Sequence, residues 1–228
     1  MREPRQEKLI PALGFRWLTP AYDLVVRLTT REAAFKAALV AQLELPPAAR
    51  VLDLGCGTAT LTLMLKRRFP QASVAGVDGD AEILRIAREK VRRSGLDVDL
   101  REAMAQALPY ADASFDCVAS SLFFHHLERA AKLAVLAETR RVLKPGGALH
   151  VADWGGATGP LSRGAFVMVQ LLDGFPNTAD NVAGRLPGLM EQAGYASARE
   201  TQRLLTVFGN ISLYGAQKPH ERLEAARA

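Results

Sequence analysis

Asp53 and Asp78 each lie at the end of a short apolar run, Val51-Leu52-Asp53-Leu54 and Val74-Ala75-Gly76-Val77-Asp78, and Gly55-Cys56-Gly57 follows the first. Glycine carries no Cβ, so such a turn can bend sharply and its backbone can approach a ligand closely. A strand, a glycine turn, a helix and a second strand closing on a carboxylate build a nucleoside pocket at the C-terminal edge of a parallel sheet. Further on, Ser120, His125, His126 and Asp153 follow two more apolar runs. Histidine is the obvious proton acceptor among them, because its ordinary pKa lies near neutrality. The plainer alternatives are a structural turn for the glycines, a helix cap for Asp78, a cap or pocket lining for the histidines, and a loop-turn carboxylate for Asp153.

The elements that must position these residues follow from the apolar pattern. Residues 51–54, 73–77, 98–101, 115–120 and 148–152 read as strands, with helices over 58–69, 81–94 and 128–143. Asp80 is placed to cap the second helix and Gly95 to end it, while Pro145-Gly146-Gly147 stops the third. Strands alternating with helices imply a parallel sheet covered on both faces. Residues 1–45 read as a helical cap, with Tyr22, Val25, Val26 and Thr29 sharing one face, as do Phe35, Ala38, Leu39 and Leu43. After Asp153 the rhythm changes. Residues 154–180 are rich in glycine and large apolar side chains and read as an insertion on the substrate side. A helix is expected over 181–193, and strands over 197–205 and 207–216 make an antiparallel hairpin at the sheet edge. The domain would thus span 46–219, leaving 220–228 as a tail.

At 228 residues, 49% of them hydrophobic and 23% charged, the chain fits one sizeable α/β domain that needs neither disulfide nor metal to bury a core. Cys56 and Cys117 lie in apolar runs without CxxC spacing, which points to a reducing compartment and no zinc site. His125, His126, His150 and His220 do not share a helix face at ligand spacing, which disfavours metal chemistry. The net charge of +5 comes mostly from arginines with acidic neighbours rather than a basic run interleaved with aromatics, so no nucleic-acid partner is expected. Residues 1–8 are charged with no apolar stretch behind them, and no run is long enough to span a bilayer. A cytoplasmic protein without integral membrane association is expected, and a homodimer is admitted.

Six pieces in order resemble the class I S-adenosylmethionine-dependent methyltransferases. They are VLDLGCGT (51–58), VAGVD (74–78), ALPYADASFDCV (107–118), RVLKPGGAL (141–149), EQAGY (191–195) and the closing hairpin ending Ala216-Gln217-Lys218-Pro219. The likeness covers residues 49 to 219, and the LPY and KPGG segments are similar to the subgroup containing the ubiquinone/menaquinone C-methylating enzymes. It implies a Rossmann-like three-layer sandwich: a seven-stranded, mostly parallel sheet with an antiparallel terminal hairpin.

It also implies a cofactor, S-adenosyl-L-methionine, with S-adenosyl-L-homocysteine as product and a small, apolar or aromatic methyl acceptor. Gly55, Cys56 and Gly57 would take the aminoacyl and ribose part, Asp53 the turn or the cofactor ammonium, and Asp78, followed by Gly79, the ribose hydroxyls. Ser120 and Tyr22 would complete the cofactor site, Tyr22 through a short segment similar to the subgroup's N-terminal tyrosine. His125, His126 and Asp153 are the catalytic candidates. Two positions depart from the family. Ala59 replaces a third glycine and is expected in an ordinary backbone conformation. Met104 replaces an acidic residue that bonds the adenine amino group, leaving the backbone at Ala105, or Gln106, to compensate.

A nicotinamide-dependent oxidoreductase would want a glycine at position 60, where Thr60 stands. A nucleic-acid base methylase would carry Asn/Asp-Pro-Pro-aromatic where Ser120-Ser121-Leu122-Phe123-Phe124 stands. A non-catalytic cofactor-binding protein on this fold is the remaining alternative.

Overall fold

Val51, Leu52, Asp53 and Leu54 are all buried, as in a strand covered on both faces. This strand, β1 (Arg50–Leu54), is flanked in parallel by β2 (Ser73–Asp78) and β4 (Phe115–Ser121), with Val51 opposite both Val74 and Cys117. In the computed structural model, which describes residues 31–156, 170, 174–206 and 209–220, seven strands form one sheet. The others are β3 (Asp99–Glu102), β5 (Leu143–Trp154), β6 (Ala196–Thr206) and β7 (Gly209–Gln217), and the order is β3-β2-β1-β4-β5-β7-β6. The first five run parallel. The connection from β6 to β7 is too short for a crossover, so the two pair antiparallel, and β7 inserts beside β5 with Val151 opposite Tyr214.

Six helices cover the sheet among the described residues: α1 (Glu32–Ala41), α2 (Thr60–Arg68), α3 (Ala81–Ser94), α4 (Arg129–Val142), α5 (Phe175–Val182) and α6 (Leu186–Gln192). Alternate residues of the strands feed two cores. Val51, Cys117 and Leu213 pack with Phe35 and Leu39 of α1 and Leu61 and Leu65 of α2. Leu52, Val118 and Leu149 pack with Leu136 of α4 and Met190 of α6 on the other face. Asp80 accepts the Glu82 and Ile83 N–H groups at the start of α3, and Gly95 ends it in the left-handed region, as the sequence predicts.

Three expectations are corrected. The helix expected over 181–193 is two, α5 and α6, because Gly184 turns left-handed (φ +65°) and Pro187 sits in the first turn of the next helix. β5 begins at Leu143 rather than 148, since Lys144-Pro145-Gly146-Gly147 extends as strand past a register shift opposite Phe115 and Cys117. Ala59 is also left-handed (φ +62°), for reasons given below. The Tyr22 face of the N-terminal cap, most of the 154–180 insertion and all but the start of the tail lie outside the described residues. No helix among the described residues is long and apolar enough to cross a membrane.

The chain winds from β1 outward to β3 on one side and from β4 outward on the other. Between β1 and β4 lies a topological switch point, where C-terminal strand ends open a crevice. Leu52, fully buried in the larger core, anchors that seam. Leu52→Ala should lower unfolding free energy by about 2–5 kcal/mol in urea denaturation.

Candidate active site

Where β1 turns into α2, Gly55 and Gly57 adopt φ +66° and +52°. A Cβ at position 55 would stand 2.5 Å from the Phe123 ring, so strain and overlap both exclude a side chain. The Ala59 N–H closes the turn onto the Cys56 carbonyl at 2.9 Å, and this holds Ala59 left-handed at the start of α2. A Cβ in that conformation costs about 1–2 kcal/mol, which the closed turn and the burial of Ala59 offset.

Asp78 fixes this turn from the end of β2. Its Oδ2 accepts the Gly57 N–H at 2.8 Å and its Oδ1 the Asp80 N–H at 3.0 Å. Burial raises its carboxyl above the usual carboxylate range, against the pull of those N–H groups. An ionised carboxylate has about four acceptor positions, so Asp78 keeps room for a further donor.

Asp53 is buried completely. Its Oδ2 accepts the Thr62 hydroxyl at 2.7 Å, and its Oδ1 has no hydrogen-bond partner among the described residues. Burial pushes the carboxyl up to about 6. A buried acceptor oxygen left without a donor suits a ligand that brings one, above all a cationic one.

The rest of the predicted cofactor set divides. The Cys56 side chain turns into a small apolar cluster with Leu84, Ala87 and Leu100, and burial pushes its thiol up, so it acts as packing. Gly79 faces the Met104 sulfur, which would lie 3.1 Å from a Cβ there, and Met104 is 43% exposed beside it. Ala105 is buried against the core. Ser120 donates to the Leu54 carbonyl at 2.8 Å and so ties the end of β4 to that of β1. Tyr22 lies outside the described residues.

After β4 the chain bends at Leu122 (φ +52°) into a short 3-10 turn, Phe124–His126. Asp153, at the end of β5 and fully buried, organises it. Its Oδ2 accepts the Phe123, Phe124 and His125 N–H groups at 3.2, 2.7 and 3.3 Å. Its Oδ1 takes the Trp154 N–H and pairs with His125 Nδ1, both at 2.7 Å. Burial alone would raise this carboxyl, but pairing with the adjacent His125 ring and these bonds hold it below the usual range. With both oxygens engaged, Asp153 orients His125. His126 lies against the His125 ring, centroids 3.9 Å apart, and burial with the neighbouring His125 lowers it to about 3.

Sequence reading does not single out Thr62, an ordinary helix residue in pattern that only folding brings to Asp53. Among the described residues no group of three or more His, Cys, Asp or Glu could hold a metal ion.

A family model described as a methyltransferase domain matches residues 51–147. A demethylmenaquinone methyltransferase of Thermus thermophilus is 40% identical over 158 residues, covering 68% of this chain and 69% of that protein. A ubiquinone/menaquinone biosynthesis C-methyltransferase of Syntrophotalea carbinolica is 31% identical over 219 residues, covering 88% and 90%. The chain belongs to the S-adenosylmethionine-dependent methyltransferases. This family placement favours methyl transfer over a nicotinamide-dependent oxidoreductase or a non-catalytic binding protein. Solved structures agree on the fold. The YcgJ protein of Bacillus subtilis superposes with TM-score 0.64 at 17% identity, covering 81% of this chain and 98% of that one. An S-adenosylmethionine-dependent methyltransferase of Methanosarcina mazei gives 0.63 at 24% identity, covering 78% and 95%.

Asp53 Oδ1 is a buried acceptor that no described residue engages. In the methyltransferase without ligand, a carboxyl with a raised folded-state pKa stabilises the fold below its unfolded value and loses that contribution as pH rises through the folded one. Asp53 should therefore destabilise the ligand-free protein between pH 3.8 and about 6, by on the order of 3 kcal/mol in all. Asp53→Asn, which still accepts from Thr62, should flatten that part of the stability–pH profile in chemical denaturation. An unchanged profile would refute the raised Asp53 carboxyl.

Proposed function

We propose that this methyltransferase transfers a methyl group to carbon of a small aromatic acceptor of the quinol type, with His125 taking the acceptor's hydroxyl proton. The observation that carries this reading is the buried His125–Asp153 pair at the end of β4, across the switch point from the glycine turn. The acceptor class is supported by the relatives' names, and one of them matches this chain over 88% of its length.

In this reading Gly55 and Gly57 let the backbone meet the cofactor, Asp78 accepts from its ribose hydroxyls and Asp53 Oδ1 receives its ammonium. Met104 and Gly79 flank the base. S-adenosyl-L-methionine supplies an electrophilic methyl on a sulfonium, so the protein has mainly to align, exclude water and move a proton. Asp153 holds the proton on His125 Nδ1, which fixes the tautomer and makes Nε2 the proton-accepting atom. Removing the hydroxyl proton from a quinol raises electron density at the adjacent ring carbon, which then attacks the methyl in line as the methyl–sulfur bond breaks and S-adenosyl-L-homocysteine leaves. Loss of that carbon's own proton restores the aromatic ring. His126, lowered to about 3, stays neutral and lines the pocket.

The test is release of S-adenosyl-L-homocysteine with a short-chain demethylmenaquinone, reduced to its quinol, as acceptor. His125→Asn should cut kcat by about 100-fold while S-adenosyl-L-homocysteine affinity by calorimetry stays within a factor of about three. Asp78→Ala should weaken that affinity at least about tenfold, the loss expected for charge-assisted hydrogen bonds. Full activity of both His125→Asn and His126→Asn would remove histidine base catalysis, and unchanged affinity in Asp78→Ala would remove the ribose assignment.

A further inference from the structure

Arg141, near the end of α4, makes a hydrogen bond with each of its N–H donors. Nε and Nη2 bind the Glu138 carboxylate one turn earlier, at 2.8 and 2.7 Å. The rest reach the loop between β3 and β4: the Leu108 carbonyl at 3.2 Å, the Tyr110 carbonyl at 2.9 Å and the Asp112 carboxylate at 2.6 Å. Glu138 Oε1 in turn accepts the Leu108 N–H at 2.7 Å. α4 thus grips both main-chain groups of Leu108, whose side chain is buried in the core. Asp112 is largely exposed, so its bond adds little. The bonds from Arg141 hold the Glu138 carboxyl below the usual range, which keeps the grip charged at neutral pH.

The gripped loop starts at Asp78. The Ala103 N–H donates to the Asp78 carbonyl at 3.0 Å. The Ala107 N–H donates to the Met104 carbonyl at 3.0 Å and closes a turn with Ala105 and Gln106 at its centre. The Met104 sulfur lies against Gly79, where a Cβ would stand 3.1 Å from it. No described residue bonds the main-chain N–H or carbonyl of Ala105 or Gln106. A thioether is only a weak acceptor, so the turn presents its main chain rather than Met104 for hydrogen bonding. Main-chain groups cannot swing to follow a displaced ligand as a side-chain carboxylate does. The turn itself has to be held.

We propose that Glu138 and Arg141 are positioning residues for the cofactor: gripping Leu108 and Tyr110, they hold the 104–107 turn so that the main chain of Ala105 and Gln106 reads the amino edge of the base. This rests on the reading that Met104 and Gly79 flank the base. Adenine presents an amino donor beside a ring-nitrogen acceptor, and main chain offers the complementary carbonyl and N–H. One end of the segment is tied to Asp78, the ribose acceptor in that reading, and the other to α4. Releasing the α4 end frees the turn while the Asp78 end stays fastened.

Calorimetry on the full chain compares S-adenosyl-L-homocysteine with S-inosyl-L-homocysteine, which carries a carbonyl in place of the amino group and an N–H in place of the ring acceptor. The wild-type chain should prefer the adenosyl compound at least about tenfold. Arg141→Lys keeps a positive charge but replaces the planar fork with a compact ammonium that cannot span Glu138, Leu108 and Tyr110 together. It should weaken the adenosyl compound about tenfold and the inosyl compound by less than about twofold, so that the preference collapses. KM for S-adenosyl-L-methionine should rise with it, with a much smaller change in kcat and in KM for the quinol. Glu138→Gln, which keeps an acceptor for the Leu108 N–H, should lose the preference in part, and it carries the test if Arg141→Lys does not fold. An unchanged preference in either folded variant, or equal weakening of both compounds, overturns the proposal and leaves the reading of the base in place. No preference in the wild-type chain removes the base from this turn, and the proposal with it.

Discussion

Where β1 and β4 lie side by side in parallel, the chain winds away in opposite directions, and the turns that carry the candidate residues leave from that seam. Parallel strands present their C-terminal ends on one edge, and the reversal of winding leaves the crevice there uncovered by a crossover. The glycine turn departs from β1, the histidine turn from β4, and Ser120 bonds to Leu54 across the two strand ends. Loss of that register would separate the two turns. The apolar packing of Leu52, Leu54 and Val118 beneath them therefore matters to the site as much as any polar group.

On this seam, buried carboxylates do work that regular secondary structure cannot. Loop backbone at a strand end has no ladder partner, and a buried N–H without an acceptor is costly. Asp78 supplies acceptors to Gly57 and Asp80, and Asp153 supplies them to Phe123, Phe124, His125 and Trp154. Each carboxylate converts an irregular turn into a defined surface. Asp53 differs, because one of its oxygens meets only Thr62 and the other meets nothing among the described residues. Asp78 and Asp153 are thus tied into the backbone of their turns, while Asp53 keeps one oxygen that no described residue engages.

Much of this was legible in the residues. The alternation of apolar runs with Asp80 and Gly95 as helix boundaries gave strands and helices within a few residues of those observed, because local capping chemistry acts through neighbours in sequence. The split of α5 from α6 was missed because Gly184 and Pro187 fall inside an otherwise helical pattern. Ala59 was misjudged for a different reason. Its own preference is ordinary, and closure of the turn onto Cys56 overrides it.

The order of apolar runs, the glycine turn and the terminal carboxylates determined by themselves the α/β class and a nucleoside-type crevice, and the resemblance of six segments to a known family added the methyltransferase reading. Those features depend on spacing along the chain, which the amino-acid order states directly. Tertiary structure alone decided which of the candidate acids is engaged and which is open. It turned Asp153 from a separate catalytic candidate into the partner of His125. Such assignments depend on distances between residues tens of positions apart and on the loss of water around them. Desolvation exists only once the core has closed.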